Sequence, residues 1–436
     1  MDGMMPKKTA KRATRKSTAG AAKSEAKAVA LSAVPPPTQN PNYQALHRRY
    51  PTIAYLRDGA RRHVPHFAFE YGDTGAGADV GIAHNWAALD AVELVPRYGV
   101  MPSLPPTGVT LFGRPYSAPI GIAPMGGAAI VWPGADRLFA KAAQHARIPY
   151  TLGVAGGATI EEVAAIAPDV FWFQLYRFSG QDHAIGQDLV RRADVAGAHV
   201  LMLTLDVPVR TTRSRESYAG LGGEFRPGPR MIYEMMVRPR WLLALLQNGY
   251  PRFSTIRSYV GERAGTNDVI RFARREMGGA FSWEEVARYR DRWKRPLVVK
   301  GILHPADAEK AVALGADGII VSNHGGRQIE ALPPAIDCLP AVVKAVKGRA
   351  TVMMDSGVRS GLDVVRALAL GASAAFAGKA FLWGVGALGS QGPGHVIDLL
   401  TDEVRSALGQ IGARSVDAAR AVNVRHPGAL RFDAHS

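Results

Sequence analysis

The 436-residue sequence contains a single cysteine, Cys338, so no intramolecular disulfide can form. That excludes a disulfide-stapled secreted scaffold and a structural zinc site built from thiolates. None of the 12 histidines stands in a ligand spacing such as His-Glu-x-x-His, so no metal is expected. Long apolar runs are also missing. The most apolar uncharged stretch, residues 116–135, is broken by Pro119, Pro124 and Pro133, which makes it a poor membrane-spanning helix. Acidic residues are few: 37 Asp and Glu face 53 Lys and Arg, a formal net charge of +16.

Part of that charge is local. Residues 1–34 hold eight basic side chains against Asp2 and Glu25, embedded in Ala, Ser, Thr and Gly. Such a segment has too little apolar surface to fold, and residues 1–40 are expected to be a disordered basic tail. Pro35-Pro36-Pro37 follows as a stiff spacer. The tail could meet an anionic membrane surface or nucleic acid; the plainer reading is a solvated arm, and no specific nucleic-acid partner is predicted. An acid-poor transit peptide fits this composition; a secretory signal does not. The expected setting is cytoplasmic, with peripheral attachment to the inner face of a membrane as the variant.

What the sequence does have is a repeat. Eight short continuous apolar runs, at 118–124, 149–153, 170–176, 199–206, 296–300, 317–322, 350–355 and 374–378, alternate with helical periodicity. Continuous rather than alternating apolarity is expected of parallel strands buried on both faces. Helix starts fall between them: Thr159-Ile-Glu-Glu162, Ser282-Trp-Glu-Glu285 and Ser360-Gly-Leu-Asp363 read as capping boxes. The prediction is an α/β fold, a (β/α)8 TIM barrel over 41–430. A doubly wound open sheet is the alternative, but the first run ends in Pro124-Met-Gly-Gly127 and not in a dinucleotide loop. Residues 41–114 are expected to cap the barrel's bottom or edge. Residues 207–281 are too long for an ordinary loop and should form an excursion over the active-site face, after the fourth strand. Inside it, Arg238-Pro-Arg-Trp-Leu-Leu-Ala-Leu-Leu246 joins cations to a bulky apolar run, which suits contact with a membrane surface or, alternatively, a helix covering the core or an oligomer interface. Residues 397–412 read as helical, and Cys338 as a packing residue in a proline-rich loop.

In such barrels ligands meet the C-terminal ends of the strands. Those ends carry polar groups in three sets. Gly357, Arg359, Gly378 and Lys379 follow the last two strands, where small residues and cations make a phosphate site. Lys300 is a strand-end cation suited to negative charge on a cofactor ring. His324, Asp206, Tyr176, Arg213 and Arg327 combine a base, its partner and two guanidinium groups that pair with a carboxylate. The implied ligands are a phosphate-bearing cofactor and a small acid with a removable proton.

The segment Ser322-Asn-His-Gly-Gly-Arg-Gln-Ile-Glu330 closely resembles the signature of the FMN-dependent 2-hydroxy-acid oxidases and dehydrogenases. The similarity extends over about residues 45–425 and includes Phe173-Gln-Leu-Tyr176, Leu203-Thr-Leu-Asp-Val-Pro208, Val299-Lys-Gly301, Asp355-Ser-Gly-Val-Arg359 and Ala367-Leu-Ala-Leu-Gly371. The resemblance implies FMN as cofactor and oxidation of a 2-hydroxy acid. It implies His324 as base with Asp206 as its charge partner and Tyr176 near the substrate hydroxyl. Arg213, Arg327 and Tyr71 would hold the carboxylate. Pro124, Met125, Gly126, Gly153, Gln174, Thr204, Lys300 and Ser322 match flavin positions. Asp355, Ser356, Gly357, Val358, Arg359, Gly378 and Lys379 match ribityl and phosphate positions. A homo-oligomer, a tetramer, is implied by the same likeness. Departures are Met125 for Thr, Gly153 for Ser, Ser356 for Gly, Lys379 for Arg and Glu330 for Asp. Ala155 stands for a large aromatic and is expected to widen the pocket. Gly126 stands where oxidases often carry Ala, which favours quinone over O2 as electron acceptor.

Overall fold

The computed structural model describes residues 41–100, 103–209, 211–251, 253–261 and 263–432. The expected tail, 1–40, lies outside them. Eight strands close a parallel barrel: β1 Ile120–Ile122, β2 Tyr150–Gly153, β3 Phe171–Leu175, β4 Val200–Thr204, β5 Leu297–Ile302, β6 Gly318–Val321, β7 Thr351–Met354 and β8 Ala375–Ala377. Each strand pairs with its neighbour in sequence, and β8 pairs with β1 through Ala375↔Ile120, which closes the ring. All eight predicted apolar runs are barrel strands, and the doubly wound alternative is set aside. Thr159 and Ser282 form complete capping boxes. At Ser360 only half is made: its side chain accepts from the Asp363 amide, while Asp363 accepts from the Arg359 amide one residue earlier. The aspartate is one methylene shorter than a glutamate and serves the preceding amide instead.

The segment before the barrel serves both of its ends, rather than the bottom or edge alone. A hairpin of Val109–Leu111 and Arg114–Tyr116 plugs the bottom, where Phe112 and Tyr116 meet Trp172 edge-on and Trp172 Nε1 donates to Tyr116 Oη at 3.0 Å. Four helices, α1 Tyr43–Arg49, α2 Ile53–His63, α3 His66–Asp73 and α4 Val80–Asp90, form a cap. Helix α2 packs on the helix Lys379–Leu388 that follows β8 and is buried from Ala380 onward, with Gly59 and Gly386 letting the two backbones approach. This seats α3 and α4 at the C-terminal face. The strand Glu93–Val95 pairs antiparallel with Asn423–Arg425 and ties the two ends of the chain together. Residues 397–412 are helical through Gln410, in Gly392–Gln410. Cys338 is not in a loop: it is buried in helix Ala335–Val346, which accommodates Pro340 in its interior. The packing role holds; Pro333 and Pro334 precede the helix start and Pro340 is a tolerated interior position.

The excursion lies between β4 and β5 and carries, among others, helices Pro229–Met236, Pro239–Asn248 and Thr266–Glu276. Trp241 points inward: it is buried, donates to the Val131 carbonyl at 3.0 Å and meets Phe67 of α3 edge-on. The outward apolar face belongs instead to Ile232, Tyr233, Met236, Val237, Leu243, Leu246 and Tyr250. No helix among the described residues is long and apolar enough to cross a membrane.

One irregularity in the barrel shapes the cavity at its mouth. The β5–β6 register shifts between Lys300 and Ile302, and Gly301 sits at φ +97° with Asp206 only 2.5 Å from where a Cβ would stand. The bulge turns Lys300 inward, and the missing side chain leaves room for Asp206. Gly301→Ala is therefore expected to destabilise the protein by about 2–3 kcal/mol, through the positive φ and the overlap together. Chemical denaturation of the two proteins measures this.

Candidate active site

A cavity of about 890 Å³ opens at the C-terminal end of the barrel. That is ample for a cofactor and a small acid together. Its floor is strand-end residues, including Pro124, Met125, Gly126, Phe376 and Ala377. The cap contributes Tyr71, Asn85 and Trp86, and the excursion roofs it with Val207, Arg213, Glu216, Leu221 and Met277.

Lys300 is buried among its partners. Its Nζ lies 3.1 Å from Asp355 Oδ2 and 3.9 Å from Asp206 Oδ2, and donates to Ser322 Oγ at 2.9 Å. Burial works against its charge, but Asp355 and Asp206 outweigh it and raise the amine above the ordinary lysine range. Asp206 shows the mirror-image balance: burial opposes ionisation, while His324 and Lys300 hold the carboxyl down at about 2. The geometry leaves Asp206 an anion throughout the neutral range.

His324 is reached from this charged pair. Its Nδ1 lies 3.0 Å from Asp206 Oδ1, and its Nε2 faces Tyr176 Oη at 3.4 Å with the two rings stacked. An anionic Asp206 takes the Nδ1 hydrogen and leaves Nε2 as a lone-pair site facing the cavity. The loop that presents it runs through three consecutive left-handed residues, His324, Gly325 and Gly326. A side chain at Gly326 would strike the backbone of Gly81 at 2.7 Å, so it is Gly326 that lets α4 abut the loop. Two serines hold its amides. Ser322 Oγ accepts from the His324 amide at 3.0 Å, and Ser356 Oγ accepts from those of Asn323 and Gly325 at 3.1 and 3.0 Å while donating to Asp355. Ser356 adopts φ +79°, a conformation ordinarily left to glycine; the two hydrogen bonds offset that cost. Asn85 and Asn323 exchange two amide hydrogen bonds, and Gln328 donates to the Asp206 carbonyl.

Arg327 Nη1 donates to the carbonyls of Tyr71 and Thr74 at 3.0 and 2.8 Å, and its guanidinium lies over the Tyr71 ring. Burial and the nearby Arg213 depress it to about 10. Tyr71 Oη donates to the Gly126 carbonyl, and burial raises its phenol. Burial, then Asp206, raises the Tyr176 phenol to about 12. Between Arg213 and Glu216, Arg215 latches the roof to the cap: it pairs with Glu70, Asp73 and Asp79 at 2.6, 3.0 and 2.5 Å.

The expected residues thus divide. Pro124, Met125, Gly126, Lys300, Asp355, Ser356, Gly357, Val358, Arg359, Gly378 and Lys379 line the cavity, as do Tyr71, Tyr176, Arg213, His324 and Arg327. Gly153, Gln174, Thr204 and Ser322 are buried just beneath it, where Gln174 Nε2 donates to Thr204 Oγ1 at 3.0 Å. Asp206 stands behind His324. Ala155 packs behind Gly126, so the widening expected of it would act through that neighbour. Lys379 donates to the carbonyls of Asp73 and Thr74 at 2.9 and 2.7 Å, at the C-terminal end of α3. Arg359 pairs with Asp90 and Asp363. Both cations expected to meet the phosphate therefore already hold internal acceptors. Glu330 accepts from the amides of Ala78 and Val80 and so caps α4; its extra methylene relative to aspartate provides the reach. Sequence reasoning missed Glu216, Arg215 and Trp86. Glu216 had a signal, standing three residues after Arg213, on the same face of a helical turn.

Residues 60–426 match the FMN-dependent dehydrogenase family, and the chain belongs to it. It is 38% identical to an L-lactate dehydrogenase of Ectopseudomonas mendocina over 361 residues, covering 83% of this chain and 94% of that one. An L-lactate dehydrogenase of Caulobacter vibrioides is 36% identical over 362 residues, with the same coverage. Among solved structures, the monotopic membrane protein (S)-mandelate dehydrogenase superposes with a TM-score of 0.81 at 30% identity, and mandelate oxidase with 0.73 at 33%. Each covers 86% of this chain and 99% of its own. The protein is accordingly a flavin-dependent oxidoreductase. The donor set fits FMN: one end of the cavity offers a buried ammonium, the other the turn 355–359, Gly378 and the start of helix Lys379–Leu388.

The depressed Asp206 fixes a sign for acid stability. Its folded value of about 2 lies below the ordinary carboxylate range. The stabilisation is present above the unfolded value near 4 and is lost as pH falls toward the folded one. The stability difference between wild type and Asp206→Asn should shrink by about 1 kcal/mol between pH 5 and pH 3, measured by denaturant titration at each pH.

Proposed function

We propose that the protein oxidises an (S)-2-hydroxy acid, lactate-like or larger, to the 2-oxo acid, with His324 as the base. The observation that carries this reading is the convergence in one cavity of His324, backed by Asp206 at 3.0 Å, with the paired guanidinium groups of Arg213 and Arg327. The names of the related proteins, L-lactate dehydrogenase and (S)-mandelate dehydrogenase, support the substrate class.

In this reading Arg213, Arg327 and Tyr71 bind the substrate carboxylate, which brings the hydroxyl toward His324 and Tyr176 and makes the proton transfer effectively intramolecular. His324 Nε2 takes the hydroxyl proton, and Asp206 stabilises the resulting imidazolium. FMN, when bound, would supply the acceptor for the α-hydrogen, which leaves the substrate carbon together with its bonding electron pair as the hydroxyl proton passes to His324. Lys300, Asp355 to Arg359, Gly378 and Lys379 would hold it, with Pro124, Met125, Gly126, Gln174, Thr204 and Ser322 around the ring; the Lys300 ammonium would stabilise negative charge on the reduced cofactor. Val207, Leu221 and Met277 in the roof give apolar room for a side chain larger than methyl. His324→Gln should retain FMN and lower the rate of anaerobic flavin bleaching by the hydroxy acid by about 10²–10⁴-fold. A variant that bleaches at the wild-type rate removes His324 from the mechanism.

The outward face of the excursion favours a membrane-bound quinone as the electron acceptor over O2. Seven exposed apolar side chains stand on or beside two adjacent helices that also carry Arg240 and Arg230, the latter paired with Glu234, a combination that suits an anionic membrane surface. Gly126 agrees with that choice. Sedimentation with anionic vesicles should fall several-fold on Leu243→Gln/Leu246→Gln, and the substrate-reduced enzyme should be reoxidised faster by a quinone analogue than by air. Rapid reoxidation by air alone marks an oxidase instead.

A further inference from the structure

Two guanidinium groups aimed at one anion repel each other, and the cost is larger where they are buried. Here a third group shares the clamp. Glu216 Oε2 lies 3.3 Å from Arg213 Nη1 and 3.4 Å from Arg327 Nη2, and Glu216 lines the same cavity. The helical turn that begins after Arg213, Ser214–Glu216, delivers the carboxylate back to the arginine that precedes it. Arg215, between them, is pinned to three carboxylates of the cap, so the turn is held and Glu216 is presented in one direction. The donors are not exhausted: Arg213 Nε is buried with no partner among the described residues. The formal inventory of the clamp is therefore two cations and one resident anion, with hydrogen-bonding capacity left for one more carboxylate.

We propose that Glu216 is a specificity-determining residue that sets the charge of the clamp to a single positive unit, so that the site accepts a ligand with one carboxylate and disfavours dicarboxylates. The proposal rests on the reading of Arg213 and Arg327 as the substrate-carboxylate clamp. A monoanion completes neutrality. A dianion brings a second negative charge into a poorly solvated cavity that already contains the Glu216 carboxylate. Neutralising Glu216 removes one repulsion for a monoanion and two for a dianion of similar size. Affinity for the dianion should thus rise by about the square of the factor found for the monoanion.

The test is equilibrium binding to the FMN-loaded protein near pH 8, followed by perturbation of the flavin absorbance. Propionate is the monocarboxylate probe and malonate the dicarboxylate, for wild type, Glu216→Gln, Glu216→Ala and Glu216→Asp. Glu216→Gln and Glu216→Ala should tighten propionate by about threefold or more and malonate by about tenfold or more, with the hydroxy-acid KM falling in parallel. Glu216→Asp keeps the charge and should keep the wild-type ratio of the two affinities. An unchanged malonate-to-propionate ratio in Glu216→Gln overturns the proposal. So does weaker binding of both probes, which would make Glu216 a residue that orients the arginines. Arg327→Met separates this from failure of the underlying reading: loss of both probes there upholds the clamp, whereas wild-type binding of propionate places the carboxylate site elsewhere and takes the proposal with it.

Discussion

Burying an ammonium group costs several kcal/mol unless it is paired, and Lys300 is buried at the heart of the barrel mouth. Its solution is to sit between Asp355 and Asp206, and much of the site depends on that arrangement. Asp355 is bonded to Ser356, which holds the loop of His324. Asp206 is bonded to His324 itself. Ser322 joins Lys300 to the same loop from the other side. One cation thus fixes both a carboxylate that polarises the imidazole and the backbone that aims it. The bulge at Gly301 is the backbone's share of the arrangement, since a regular strand would direct the lysine differently and would exclude Asp206.

The barrel is legible in the sequence because each strand is buried on both faces and therefore reads as an unbroken apolar run, and because Thr159 and Ser282 announce helix starts with both halves of a capping box. The strand-end chemistry is legible for the same reason: a polar residue directly after an apolar run has little to do except face a ligand. Pairing across the chain is not legible. Nothing local distinguishes the Arg215 that latches to α3 and its neighbours from a solvated arginine, or marks Glu216 as an acceptor for Arg327, 111 residues away. Trp241 reads with its neighbours as one apolar surface; the helix instead buries Trp241 and Leu245 and shows Leu243 and Leu246, a division that needs the partner helix to be known. Cys338 reads as a loop residue because prolines stand close on both sides, although proline is compatible with a helix start and here also with an interior turn.

Roof and floor of the cavity have separate origins. The floor is made by the ends of barrel strands, whose side chains are constrained by the packing beneath them. The roof is one continuous excursion fastened by Arg215, Trp241 and their partners on the cap. In the proposed reading, chemistry and carboxylate recognition draw on both, whereas the room for the substrate side chain comes from the roof. The outward face of that roof is the apolar surface, so the proposed ligand selection and the proposed contact surface share one segment.

Tyr71 and Lys379 stand about 300 residues apart yet line one cavity, and Lys379 bonds carbonyls at the end of the helix that carries Tyr71. A ribosome must therefore deliver nearly the whole barrel before any of the cavity exists in usable form. A chain that ends before Lys379 lacks one wall of this cavity. This gives the experimenter a census: in a preparation supplied with excess FMN, the yellow chromophore that stays with the polypeptide counts the molecules that have finished folding.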